Sequence, residues 1–277
     1  MSKNTTLSVA VLSGKGGVGK TNIALNLAYC LFRGNHSLLL MDCDLGLANL
    51  DVLLGIAPEK NLQDLLDSDA APSEITVALD QGGFDFIPAA SGVPELLDMD
   101  EEVRAAMLHK LFPVFSAYDY LFLDLGAGIS PTVLAFAKMS HVRLVVITPE
   151  PTSLTDSYAL IKVLATQHGV RDFHVVVNMA ENQSEERQAF GRLRGACERF
   201  LGLVPTYLGV IHTDRTVTEA VRRQTPLMKM APNSKAGKDL FALAVKLNRL
   251  REELLPTIAD EHALRFPAVR KHAPERE

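Results

Sequence analysis

Gly14-Lys15-Gly16-Gly17-Val18-Gly19-Lys20-Thr21 decides how this chain folds. The octet is Gly, four residues, Gly, Lys and Thr, the spacing of a phosphate-binding loop. An apolar run over 7–12 precedes it and reads as a buried strand, and Ile23-Ala24-Leu25-Asn26-Leu27-Ala28 follows at helical spacing. Strand, glycine loop, helix is the context in which the pattern becomes a mechanism. Glycines let backbone N–H groups close around phosphate oxygens, and the helix N-terminus adds its partial positive charge. In such a loop Lys20 reaches the β- and γ-phosphates and the Thr21 hydroxyl ligates Mg²⁺. Gly14, Lys15, Gly16, Gly17, Val18, Gly19 and Asn22 are the remaining candidate contacts to a nucleotide. The plainer reading, a glycine turn without a ligand, is disfavoured by the strand and helix on its two sides.

Working outward, apolar runs recur at 37–41, 84–88, 120–123, 144–148, 173–177 and 207–211. Several are continuous rather than alternating, which marks strands covered on both faces. Helical spacing falls at 20–33, 99–115, 132–139, 154–167, 185–201, 216–223 and 234–255. Strands alternating with helices predict an α/β fold, a single doubly wound, mostly parallel sheet of about seven to eight strands flanked by helices. One domain over 1–258 and a flexible tail over 259–277 are expected, because the last residues lack a periodic apolar face.

The 277 residues are 47% hydrophobic, with a net charge of −5. That balance argues against a surface built throughout for nucleic acid, while leaving room for a local basic patch. Cys30, Cys43 and Cys197 are odd in number and far apart, and read as reduced thiols of a cytoplasmic protein. No run approaches the roughly 18 apolar residues of a membrane span, and the polar first residues do not read as a signal peptide. The eight histidines do not cluster, and none is assigned a metal.

Ligands of such sheets sit at the C-terminal ends of strands, and the acids fall there. Asp42 and Asp44 follow the second run; beside a phosphate loop, one anion can hold the metal's water shell and another can orient the attacking water. Asp124 ends the run 120–123, the place of an acid that reaches Mg²⁺ through water. Gly126-Ala127-Gly128 follows, small enough for backbone N–H groups to approach a γ-phosphate. Asn178 ends the run 173–177. Its amide offers the donor and acceptor that read an adenine edge, and a capping or turn role competes.

The second lysine, Lys15, is not required by an ordinary phosphate loop. With it, the octet resembles the deviant Walker A motif of MinD/ParA-type ATPases. The resemblance covers about residues 7–255 and implies an ATP-hydrolysing, Mg²⁺-dependent switch. It implies that Lys15 contacts the nucleotide of the partner subunit in an ATP-dependent homodimer; a solvated charge is the other reading. Asp42-Cys43-Asp44 resembles the family's switch I, which implies Asp44 as the hydrolytic residue and Asp42 as support for the metal. Asp124-Leu125-Gly126-Ala127-Gly128-Ile129 is similar to switch II, and an Asn at the place of Asn178 implies a contact to the base. The loop His212-Thr213-Asp214-Arg215 is expected to close over that base.

Finer text is similar to the FlhG/FleN branch, the MinD-like regulators of flagellar number and placement. It is carried by Asp44-Leu45-Gly46-Leu47-Ala48-Asn49-Leu50-Asp51-Val52-Leu53-Leu54-Gly55, by 148–156 and by 220–227. This implies an FlhF-like GTPase or a FleQ-like regulator as partner. The chain departs from the branch in having only a few, mostly polar residues before the first strand. Peripheral contact with the inner face of the membrane is left open. The last helix, with Leu240, Phe241, Ala244, Leu247 and Leu250 on one face, can pack on the sheet or lie on lipid. Arg215, Arg222, Arg223, Lys229, Lys235 and Lys238 can form a solvated face or a DNA-binding patch as in ParA relatives. Other readings are a partitioning ATPase on DNA, or an ATP-dependent ligase of the cobyrinic acid or dethiobiotin type.

Overall fold

The computed structural model describes residues 3–44, 49–67, 70–89 and 101–265. In chain order the elements are β1 (Leu7–Ser13), α1 (Lys20–Arg33), β2 (Leu38–Cys43), α2 (Leu50–Leu54), α3 (Leu62–Asp67), β3 (Val77–Asp80), β4 (Phe84–Ile87), α4 (Glu101–Phe115), β5 (Tyr120–Ala127), α5 (Pro131–Met139), β6 (Val142–Ile147), α6 (Pro151–His168), β7 (His174–Ala180), α7 (Gln183–Leu201), β8 (Thr206–His212), α8 (Arg215–Arg222), α9 (Leu227–Met230) and α10 (Lys235–Ile258).

The strands form one eight-stranded sheet in the order β3-β4-β2-β5-β1-β6-β7-β8. Only the β3–β4 pairing is antiparallel. β1, β2 and β6 are buried at every position, as their continuous apolar runs require. Side chains of β1 alternate between two helix layers. Leu7, Val9 and Val11 pack with α1 and α10, whereas Ala10 and Leu12 pack with α4 to α7. Fully burying a Leu or Val side chain is worth about 1.5–3 kcal/mol. A one-residue slip would exchange the two layers, so the register is strongly specified.

The structure adds what periodicity could not carry. β3 is a four-residue, partly exposed edge strand, and α2, α3 and α9 span only one or two turns. The start expected at 99 for the helix now labelled α4 lies outside the described residues, as do Leu45 to Ala48 and residues 266–277. α6 begins three residues before expectation because Pro151 occupies its first position, where a missing N–H costs nothing.

The tail expected from 259 is packed as far as residue 265. Ala263 and Leu264 are fully buried, and the Arg265 N–H donates to the Met139 carbonyl at 2.7 Å. Two apolar side chains suffice to fold it back, although they show no period. On α10, Leu240, Leu243, Ala244 and Leu247 are buried while Phe241 is 61% exposed. That helix therefore packs on the sheet, and Phe241 does not belong to its inner face. Arg215, Arg222, Arg223, Lys229, Lys235 and Lys238 are all exposed. No helix among the described residues is long and apolar enough to cross a membrane.

Candidate functional site

The parallel strands send their C-terminal ends to one edge, and the loops there assemble the site. After β1, Gly17 and Gly19 take φ of 76° and 90°, a region that favours glycine. A Cβ at Gly16 or Gly17 would meet nothing within 4 Å. At that open place α1 begins with no side-chain cap and no acid in its first turn, so its N–H groups are free to take an anion.

Gly14 serves another purpose. A Cβ there would lie 2.0 Å from the Asp156 carbonyl carbon and 2.3 Å from the Ser157 nitrogen on α6. Backbone cannot swing away as a side chain would. Gly14→Ala is expected to destabilise the protein by about 3 kcal/mol or more and to push the loop off α6. A lowered urea midpoint together with weakened ATP binding checks this.

Lys20 is buried. Burial pulls its ammonium pKa down, against the pull of Asp124 and Asp44. Asp124 is also buried, and one of its carboxylate oxygens, Oδ1, has no hydrogen-bond partner. Its pKa is pushed up to about 7, by burial first, against the Thr21 hydroxyl and Lys20. Asp42 lies opposite Asp124 in the β2–β5 register. It accepts from the backbone N–H groups of Asp44 (2.9 Å), Asn49 (3.3 Å) and Leu50 (3.4 Å), and so ties both ends of the 44–50 loop to the sheet. Burial and the neighbouring Asp124 raise its pKa to about 8. Asp44 lies over the C-terminal end of β5: a Cβ on Gly126 would stand 3.3 Å from Asp44 Oδ1.

At the end of β7 the register shifts between Asn178 and Ala180, and Met179 takes a φ of 58°. This bulge turns Met179 out, 47% exposed, and brings the Asn178 amide to the loop. Asn178 Nδ2 donates to the Val18 carbonyl at 2.8 Å, which leaves Oδ1 as the acceptor. Gly19 must be glycine here too, because a Cβ would stand 2.5 Å from that Nδ2. Asn22, Asn178, Met179, Ile211, Thr213 and Val217 border a mostly apolar cleft of about 370 Å³.

The far wall of the cleft, 212–214, is fixed by two acids: Asp239, which sequence reading missed, and Asp214, which it named only as part of the loop. Asp239 accepts from the His212 backbone N–H at 2.9 Å and pairs with its ring at 2.8 Å. Asp214 accepts from Thr216 and from the Ala236 N–H. Burial alone would raise the Asp214 pKa, but these hydrogen bonds outweigh it and hold it at about 2.

Lys15 is held by its own chain. Its Nζ is 2.6 Å from Glu150 Oε2 and 3.0 Å from Thr152 Oγ1. The ends are 38% and 62% exposed, so the pair is worth about 0–1 kcal/mol and is readily exchanged for another anion. Glu150 and Thr152 lie in the quoted string 148–156. A contact across 135 residues left no local signal there.

The ParA family model described as NUBPL iron-transfer P-loop NTPase matches residues 4–248. Cys30, Cys43 and Cys197 are all buried, and burial pushes the thiols of Cys30 and Cys197 up to about 12 and 11, so they offer no exposed thiolate. The antiactivator FleN of Pseudomonas aeruginosa is 38% identical over 240 residues, covering 87% of this chain and 85% of that one. The flagellum site-determining protein YlxH of Helicobacter pylori is 35% identical over 244 residues, covering 88% and 80%. The cell division ATPase MinD of Pyrococcus furiosus superposes with a TM-score of 0.73 at 25% identity, over 88% of this chain and 99% of that one.

Proposed function

The chain belongs to the ParA/MinD family of P-loop ATPases, and from that premise we propose that it is an ATP-driven dimerisation switch that sets the number or placement of flagella. The observation that carries the reading is the convergence of Lys20, Asp44 and Asp124 beside a glycine loop open at Gly16 and Gly17. The flagellar output rests on the similarity to FleN and YlxH.

The residues present fit a magnesium ion, because Asp124 keeps a buried oxygen without a partner and the Thr21 hydroxyl is bonded to the same carboxyl. Thr21 and Asp124 would hold the ion, with Asp42 supporting them. Bound there, magnesium supplies charge neutralisation of the phosphate oxygens. The 14–21 backbone and the first turn of α1 bind the phosphates, and Lys20 stabilises the charge that develops between the β- and γ-positions. Asp44 orients the attacking water. Asn178 Oδ1 accepts from the adenine amino group, and the 212–214 wall covers the ring.

Lys15 leaves Glu150 and Thr152 for the nucleotide of a second subunit, at little cost because the pair it breaks is exposed. The Lys15→Ala variant is therefore expected to bind ATP with near wild-type affinity and to remain monomeric, and a strain carrying it to lose control of flagellar number. Light scattering with ATP and flagellar counts by electron microscopy test this. A Lys15→Ala protein that dimerises on ATP like the wild type contradicts the switch. The partner is proposed to be an FlhF-like GTPase or a FleQ-like regulator.

A further inference from the structure

We propose that the groove between α6 and α7 is the docking site for an amphipathic helix of a partner protein, with acidic residues along that helix's margins. The groove has a volume of about 350 Å³, and its apolar lining is Leu154 and Tyr158 from α6 with Leu193, Ala196 and Phe200 from α7. It is separate from the nucleotide cleft and shares no lining residue with it.

Phe200 is the anchor. It is 65% exposed, the highest value among the exposed large apolar side chains of the described residues. Its ring is nevertheless fixed, edge to face with Tyr158 at 6.4 Å between centroids. The Arg199 guanidinium stands 5.2 Å from its centre. A large aromatic ring beside a preformed apolar hollow, already held in place, loses little freedom on binding, which is the character of an interface hot spot.

Charge selects the occupant. Arg192 lines the groove and no carboxylate does. Arg199 stands at the Phe200 end. Lys162 lies one turn beyond Tyr158 on the same face of α6 and is exposed. A second copy of this chain would bring the same cations against themselves. A flat lipid surface would meet one protruding ring and leave the hollow behind it empty. A helix laid along the furrow between two helices fills that hollow, with apolar residues at i, i+3, i+4 and i+7, and acidic margins meet Arg192, Arg199 and Lys162.

The place of the groove ties it to the switch. Its lining residue Pro151 directly follows Glu150, which holds Lys15. One turn on, the backbone of Asp156 and Ser157 is the surface against which Gly14 packs. A helix seated on α6 thus rests on the element that touches the phosphate loop. This coupling relies on the proposed switch; the docking itself does not.

The test uses the full chain as bait for a phage-displayed library of 18-residue amphipathic helices whose margin positions are randomised. The best peptide is then titrated by fluorescence anisotropy, and ATP binding is measured on every variant. The expected result is enrichment of Asp and Glu at the margins. Phe200→Ser is expected to weaken the peptide by about tenfold or more, and R192E combined with R199E to weaken it and to shift preference to a lysine-flanked version. All variants keep ATP binding, which reports an intact fold. Selected peptides without acidic bias, undiminished binding to Phe200→Ser, or no enrichment on a chain that binds ATP would overturn the proposal. Peptide binding as expected on a chain that binds no ATP would leave the docking site standing and sink the switch.

Discussion

Alanine in place of Lys20 is expected to weaken ATP binding by about 10- to 100-fold, the worth of a hydrogen bond to a charged group, and to lower any residual hydrolysis by about 10²–10³. Lys20 is the cation between the phosphate loop and the acids: it is buried, and Asp124 and Asp44 act on its charge. Without it those acids, with Asp42 opposite Asp124 in the register, face an incoming triphosphate with no compensating positive side chain. Repulsion then adds to the lost contact. The nucleotide-free fold is expected to persist, because the side chain leaves a polar hollow that water can enter. Calorimetric titration with ATP reads the affinity, and thermal unfolding without nucleotide shows that the loss is one of binding. Unchanged affinity would remove Lys20 from the site.

The second large effect separates binding from turnover. Asp44→Ala is expected to bind ATP as tightly as the wild type, while hydrolysis falls by about 10²–10⁴, the usual contribution of a general base. Asp42 accepts from the backbone N–H groups of Asp44, Asn49 and Leu50, and truncating the Asp44 side chain removes none of these three bonds. With hydrolysis blocked, the ATP-bound dimer accumulates, and the mass measured by light scattering doubles and stays doubled. The wild type is expected to return to monomer as its ATP is consumed. A monomer at saturating ATP, or phosphate release at the wild-type rate, contradicts the role given to Asp44.

Local signals survived translation into structure, and long-range contacts did not announce themselves. The glycine octet, the buried strands and the acids at their ends could be read because each depends on residues within one strand–loop–helix unit. α1 starts and stops where its spacing predicts, at Lys20 and Arg33. β3 could not be read, because a four-residue edge strand pairs on one side only and shows no full apolar run. The need for Gly14 arises from α6, more than 140 residues away. The bulge at Met179 rests on a positive φ in a residue that sequence rules place elsewhere. Only the cap that Asp214 gives to Thr216 at the start of α8 is local; Asp239 holds the base wall through His212 and Asp214 holds it through Ala236, both on distant elements. The hold of Glu150 and Thr152 on Lys15 is of the same kind. It changes how Lys15 is understood: a side chain expected to reach a second subunit is first kept at home by a weak, exposed pair.

The central claim is that a triphosphate with its magnesium ion rests on the 14–21 loop. Calorimetric titration of the purified chain with ATP, with and without Mg²⁺, tests it most directly. One ATP per chain is predicted, bound markedly more weakly when the metal is withheld or when Lys20 is alanine. A wild-type chain that takes up no ATP in the presence of magnesium would contradict it.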